Sequence, residues 1–441
     1  MKKINIKSSI RSLRLDTEKP WRSKIRSNFQ LLTSCIIIIL ISIITSKSTY
    51  AQKPLDNYIK IAAENNPSLK ASYTEFEVAL QQVNQVNAFA DPRLSFGYFI
   101  SPIETRVGPQ RAKISLTQTF PWFGTYKAKA NIATYLAEAK YQSFINERNK
   151  LYWDVNKAYY PIYEVKRQHH FLEDNLQILQ TYKRLAQSAY ENNRGSLADV
   201  IRVDIMIENA ETELKILNDQ LTPLKVRFNQ LLDRSDTLSI EIPDTINSSL
   251  MGLDYRRDSL LVGNPMIQSL EIQKKATLES EKLAKRNALP QFGVGLDYAF
   301  IGERTDMSVA DNGKDAFMPM VSVSLPIFRK KYKAAISEAQ LNQQAIEYRK
   351  EAVENDLISN YENAYFQLNK STDLIQLYDS QITKTNQLIR LLYSSYSNSA
   401  KDFEEVLRMQ QQLLKYQMAK ATAEKNYQVA LAEIEYLTFN N

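Results

Sequence analysis

Downstream of Pro326 the chain contains neither glycine nor proline, so its whole C-terminal stretch lacks the residues that turn or break a backbone. The helix-forming run from about 329 to 396 would span about 100 Å at 1.5 Å per residue. Residues 125–193 form a similar run, interrupted only by Pro161. Average globular helices are about 11–12 residues long, so these are helices of coiled-coil scale. Glycine is scarce throughout, with 10 in 441 residues. Folds that cradle phosphates in glycine-rich loops are therefore disfavoured, although the length alone allows two or three ordinary domains.

The long helices carry a packing seam. Ile207, Ala210, Leu214, Leu217, Leu221, Leu224, Phe228 and Leu231 alternate steps of three and four, the a/d pattern of helices packed lengthwise. The seam returns as Leu413, Tyr416, Lys420, Ala423, Tyr427, Ala430, Ile434 and Leu437. Other pieces repeat in the same order. Asn66-Pro67 returns as Asn264-Pro265, Tyr126-Lys127-Ala128 as Tyr332-Lys333-Ala334, and Asp199-Val200-Ile201-Arg202 as Glu405-Val406-Leu407-Arg408. The chain is thus a tandem duplication, read as a first copy over 52–250 and a second over 251–441, with an insertion of about eight residues in the second copy's loop. Pro161 and Pro223 read as irregularities tolerated at a bulge, or as kinks that taper a tube.

Each copy also contains two short alternating segments, predicted as strands over about 93–101 and 112–120, then 291–301 and 317–326. In the third, Phe292, Val294, Leu296, Tyr298 and Phe300 alternate with Gly293, Gly295, Asp297 and Ala299. Strands of this length can cross a bilayer. An open four-stranded sheet cannot sit in lipid, because its edge groups would be unsatisfied. Three chains would supply twelve strands, with an apolar outside and a polar inside. The long helices, about 123–192, 197–233, 329–396 and 402–437, would continue that barrel as an α-helical cylinder. The fold class expected is mainly α with a transmembrane β-barrel part, a trimeric α/β-barrel tube. Trp122 and Phe123, where strand becomes helix, suit an interfacial aromatic girdle or ordinary packing equally.

Residues 1–51 read as an export signal, with a basic segment to Arg26, an apolar core over Leu31–Thr45 and a cleavage position after Ala51. The apolar core is short for a spanning helix. Cys35 lies in a lipobox-like Leu-Thr-Ser-Cys but precedes most of the apolar run, so lipidation is not expected. Ten of the 56 Lys/Arg but two of the 49 Asp/Glu fall in this leader. The remainder is close to neutral, which removes the electrostatic footprint of a nucleic-acid binder.

These motifs resemble the TolC family of outer-membrane efflux proteins over about residues 54–437. The supporting residues are Asn66-Pro67, Ala90-Asp91-Pro92-Arg93-Leu94, Ser115-Leu116-Thr117-Gln118-Thr119-Phe120-Pro121 and Val323-Ser324-Leu325-Pro326-Ile327-Phe328. Asp199-Val200 and Glu405-Val406-Leu407, which follow the helical turns, add to them. Phe120-Pro121-Trp122-Phe123-Gly124 resembles the branch associated with heavy-metal efflux. The resemblance implies a homotrimer in the bacterial outer membrane, reaching into the periplasm. It implies a passive exit duct for drugs, metal ions or other small molecules, delivered by an inner-membrane pump (RND or ABC type) through a periplasmic adaptor. A duct for type I protein secretion is the alternative, and a periplasmic coiled-coil adaptor a more remote one.

The resemblance further implies a periplasmic tip and gate at the turns near 192–202 and 398–408. The gate candidates are Asp199, Arg202, Asp402, Glu404, Glu405 and Arg408. The adaptor-contact candidates are Arg194, Gly195, Ser196, Leu197, Ser399, Ala400 and Lys401. Glu405 matches the first of two acids of the family's inner gate, whereas Arg408 occupies the second. On a helix, Arg408 can meet either Glu404 or Glu405. No catalytic residue, cofactor or metal site is expected. His169 and His170 are adjacent, so their side chains diverge by about 100° on a helix.

Overall fold

The computed structural model describes residues 54–246, 260–399 and 403–439. The expected leader, Cys35, the cleavage position and the boundary near 250 lie outside the described residues, as do Ala400, Lys401 and Asp402.

The elements run α1 (Pro54–Asn65), α2 (Pro67–Val86), β1 (Arg93–Thr105), β2 (Gly108–Phe120), α3 (Thr125–Glu191), α4 (Leu197–Leu231), α5 (Pro265–Asn287), β3 (Gln291–Ile301), β4 (Ala316–Ser324), α6 (Arg329–Ser399) and α7 (Phe403–Thr438). The repeated Asn-Pro is a helix start in both copies. Asn66 accepts from the Leu69 amide with Pro67 in the first turn of α2. Asn264 accepts from the Met266 and Ile267 amides, with Pro265 likewise placed in α5. Asn66 also donates its amide to the Leu231 carbonyl, 2.9 Å away, and so ties the end of α4 to the start of α2.

The long helices pair as two antiparallel hairpins, α3 with α4 and α6 with α7, and α3 packs against α7 to join them. α2 lies on α3, and α5 lies on both α3 and α6. The heptad seam faces inward: Ala210, Leu217 and Phe228 are buried, and Leu214, Leu221 and Leu224 pack against the same clusters. In the second copy Ala423, Tyr427, Ala430, Ile434 and Leu437 are buried, and Lys420 escapes to Asp379 at 2.6 Å. Pro161 and Pro223 sit inside continuous helices. Beside Pro161, the segment that leaves α4 is held by Tyr159, whose hydroxyl donates to the Glu241 carbonyl at 3.0 Å.

The four strands form one antiparallel sheet in the order β1-β2-β3-β4. The register sorts the side chains by face. Leu94, Leu116, Leu296 and Pro319 fall on one row, and Phe96, Ile114, Tyr298 and Phe317 on the next. The opposite face carries rows such as Ser95, Ser115, Asp297 and Met318. One face of the sheet is therefore apolar across all four strands, and it is bare: Phe96 is 68% and Val321 79% exposed.

The first hairpin is longer than the periodicity suggests. β1 continues to Thr105 and β2 starts at Gly108, so the strands meet across Arg106 and Val107. Pro102 and Pro109 read as breaks in the sequence. Pro102 is accommodated where the β1–β2 register shifts, between Tyr98 and Ile103. In the second copy a longer connection, 302–315, takes that place. It folds back on the first hairpin, where the Gly302 and Gly313 amides donate to the Pro109 and Val107 carbonyls.

Candidate functional site

The helical tip is built from its turn upward. α3 ends with Asn193 in the left-handed region (φ 55°). The Arg194 amide reaches back to the Ala189 carbonyl, and the Asn193 amide to that of Tyr190. This is a Schellman closure with asparagine in place of glycine. Gly195 lies where a Cβ would stand 2.9 Å from that of Ala189. Ser196 then caps α4, its hydroxyl accepting from the Ala198 amide. Arg194, Ser196 and Leu197 are exposed, as a contact surface requires. Ser399 is the last residue of α6.

Beneath the turn an aromatic group joins the two hairpins. Tyr396 packs on Phe403 with ring centroids 4.8 Å apart, and Tyr182 meets Phe403 edge-on at 6.0 Å. Val200, Val203, Val406 and Leu407 close the cluster. Charges lie on its outside. Arg202 holds Asp199 on its own helix at 3.0 Å and Glu404 of the other hairpin at 3.3 Å. Arg408 pairs with Glu405. Of the two partners the helix spacing allowed for Arg408, Glu405 has it, because Glu404 is turned to Arg202. That cross-hairpin contact is invisible in the sequence, where Arg202 and Glu404 are some two hundred residues apart. The opposite charges at the two copies' turns were its only trace.

At the sheet end, Lys113 of β2 pairs with Asp297 of β3 on the polar face. Asp297 is 2% exposed. Opposite charges on the predicted polar sides of two strands would have flagged this pair. At the strand–helix junction Trp122 stacks on Phe292 with centroids 5.7 Å apart, whereas Phe123 is open to its surroundings.

Elsewhere the titratable groups serve packing. Burial pushes the Asp154 carboxyl up, against the opposing pull of Lys150, Lys157 and Arg227. Burial likewise raises Glu433, against Lys157. His169 and His170 each face an acid four residues on, Glu173 at 3.2 Å and Asp174 at 3.6 Å. Among the described residues no group of His, Cys, Asp and Glu is arranged to hold a metal ion. Nor is any described helix long and apolar enough to cross a membrane.

The family model described as outer membrane efflux protein matches this chain twice, over residues 58–232 and 257–438. The chain belongs to the outer membrane efflux protein family. No curated protein matches the sequence. Solved structures with the same fold include the outer membrane protein VceC from Vibrio cholerae. It is 17% identical with a TM-score of 0.71, over 87% of this chain and 95% of that one. CusC, at 17% identity and a TM-score of 0.74, is matched over 87% of this chain and 91% of its own. The open state of the Neisseria gonorrhoeae MtrE outer membrane channel, also 17% identical, gives a TM-score of 0.64 over 87% and 88%. The chain is thus an outer-membrane efflux channel that extends into the periplasm, and not an enzyme. Channels of this family are trimeric and work with periplasmic adaptors and inner-membrane pumps.

Proposed function

We propose that three copies of this chain join their sheets into a twelve-stranded barrel, and that the assembly is the passive exit duct of a tripartite efflux system for small molecules. The observation that carries this reading is the bare apolar face of a four-stranded sheet whose outer strands, β1 and β4, each have one edge with no partner among the described residues. Neither feature is stable in water, and an open edge is not stable in lipid. Edge-to-edge joining satisfies both at once and leaves Ser115, Thr117 and Gly295 facing the lumen. The two family matches support a division into copies near residue 250, and the basic-then-apolar pattern of residues 1–51 supports a cleaved leader before them.

The helical tip is the periplasmic end. Arg194, Gly195, Ser196, Leu197 and Ser399 meet the adaptor, and so, by their place in the sequence, do Ala400 and Lys401. Asp199, Arg202, Glu404, Glu405 and Arg408 surround the aperture, where acids balanced by arginines hold it closed, and Asp402 is assigned to the same gate by its place in the sequence. Native mass spectrometry of the detergent-purified protein tests the assembly, and planar-bilayer recording tests the duct. Trimers that conduct with low open probability are expected. Monomers alone, or trimers that never conduct even when the tip is mutated, would overturn the reading.

A further inference from the structure

The apolar face of the sheet continues past the ends of its strands. Between β4 and α6, Leu325, Ile327 and Phe328 are exposed, Phe328 by 83%. Between β2 and α3, Phe123 is exposed to a similar degree. A row of cations follows at once. α6 opens Arg329-Lys330-Lys331-Tyr332-Lys333, and all four cations are exposed. Lys331 lies over the Tyr332 ring at 4.8 Å, and no carboxylate of the described residues pairs with any of the four. The copy in α3 is weaker, with Lys127 alone at a matching position, that of Lys333, and Lys129 two residues on.

This cluster is not where helix stability would place it. Cations in a first turn oppose the helix dipole, and neither α3 nor α6 has an acid there to offset them. Such a local conflict points to a use outside the helix. The neighbouring cations of α5 make a contrast, because they are satisfied within the chain. Lys282 and Lys285 hold Glu279 and Glu281, and Arg286 donates to the Gly124 carbonyl. A groove of about 490 Å³ runs between α5 and α6 at this level, lined by Ser280, Leu283, Asn287, Lys331, Tyr332 and Ala335.

We propose that this band binds anionic phospholipid in the periplasmic leaflet of the outer membrane. The cations of Arg329, Lys330, Lys331 and Lys333 meet the lipid phosphates, Leu325, Ile327 and Phe328 lie among the acyl chains, and the α5–α6 groove takes a headgroup. The proposal rests on the barrel reading above, which sets this rim of the sheet at the membrane surface. Its chemistry is charge complementarity on one side and continuity with the lipid-facing sheet on the other. A cation near an anionic surface favours binding by about fivefold, and the effect fades within a Debye length as salt rises.

The full-length trimer is reconstituted in nanodiscs of equal phosphatidylglycerol and phosphatidylcholine, and the lipids it retains on mild detergent release are counted by native mass spectrometry. Wild type is expected to retain phosphatidylglycerol preferentially, roughly tenfold. The combination Arg329→Gln, Lys330→Gln, Lys331→Gln should lower that preference at least about fivefold, as should raising the salt to about 0.5 M. A control with Lys370→Gln, Lys384→Gln and Arg390→Gln, exposed cations further along α6, should leave it intact. Lys330→Gln alone serves if the triple variant does not form trimers. Equal retention of the two lipids by intact wild-type trimers overturns the proposal, and so does an equal loss in the control. Stripping of phosphatidylglycerol by millimolar inorganic phosphate would assign a soluble-anion site and overturn it too. Failure of wild type to enter the nanodisc as a trimer would instead sink the barrel reading.

Discussion

Arg202 is the residue through which the two halves of the duplication meet at the tip. It holds Asp199 and Glu404 together, although each contact is partly exposed. Exposed pairs contribute about 0–1 kcal/mol each, so three copies around one aperture can bias it by a few kcal/mol. Arg202→Glu places like charges against Glu404 and is expected to raise open probability in planar bilayers. Adding Glu404→Arg restores the attraction with reversed polarity and should close the channel again. Arg408→Glu should also open it, by setting Glu405 against a new acid. If either single variant conducts like wild type while the trimer stays intact, that residue lies outside the gate. The pairs within one helix were readable from three- and four-residue spacing. The pair between helices was not, because the register of one hairpin against another is set by packing over their whole length. A second cluster at residue scale joins α5 to α6. Glu281 accepts from Lys285, Gln340 and Gln343, and these donors bring its pKa down to about 2. A depressed carboxylate stabilises the fold above its unfolded pKa and stops doing so as pH falls through the folded one. Thermal melts of Glu281→Gln should therefore lie below wild type at neutral pH, and the gap should close between about pH 4.5 and 2. A gap that persists at the acid end would show that Glu281 acts through packing rather than charge.

At the scale of elements, helix length was the most legible property of the chain, because nothing in α3 or α6 but Pro161 offers a stop. The strands were legible by their alternation, and β3 has the bounds its pattern suggests. The first hairpin was not, since Pro102 and Pro109 look like breaks unless one knows that the ladder shifts register beside them. The tip turn shows how tightly an element boundary can be set. Gly195→Ala drives a methyl from the turn against the Cβ of Ala189, which is fixed in the frame of α3. Overpacking of this kind costs about 1–3 kcal/mol. The cost should fall on the turn and not on the sheet. Limited proteolysis is expected to cut between α3 and α4 several times faster, with the trimer and barrel unchanged. Unaltered cleavage would mean that the turn relaxes without strain.

At the scale of the whole molecule the sheet and the helices divide the work, and the proposed trimer multiplies every side chain by three. The Lys113–Asp297 pair then becomes a ring of three neutral pairs inside the barrel. Neutrality matters there, because charges lining a narrow low-dielectric passage concentrate ions of the opposite sign. The two partners are not equivalent. The Lys113 side chain is 37% exposed and that of Asp297 only 3%, so a lone Lys113 can turn to water while a lone Asp297 cannot. Asp297→Asn should therefore leave three free cations in the lumen with little loss of thermal stability. Lys113→Gln should leave buried acids with Ser115 but without their cation, and lower the melting temperature more. In a salt gradient, Asp297→Asn is expected to move the reversal potential toward anions, and the double variant with Lys113→Gln to return it to the wild-type value. An unmoved reversal potential in Asp297→Asn would place the pair off the permeation path and leave it the structural task of fixing β2 against β3.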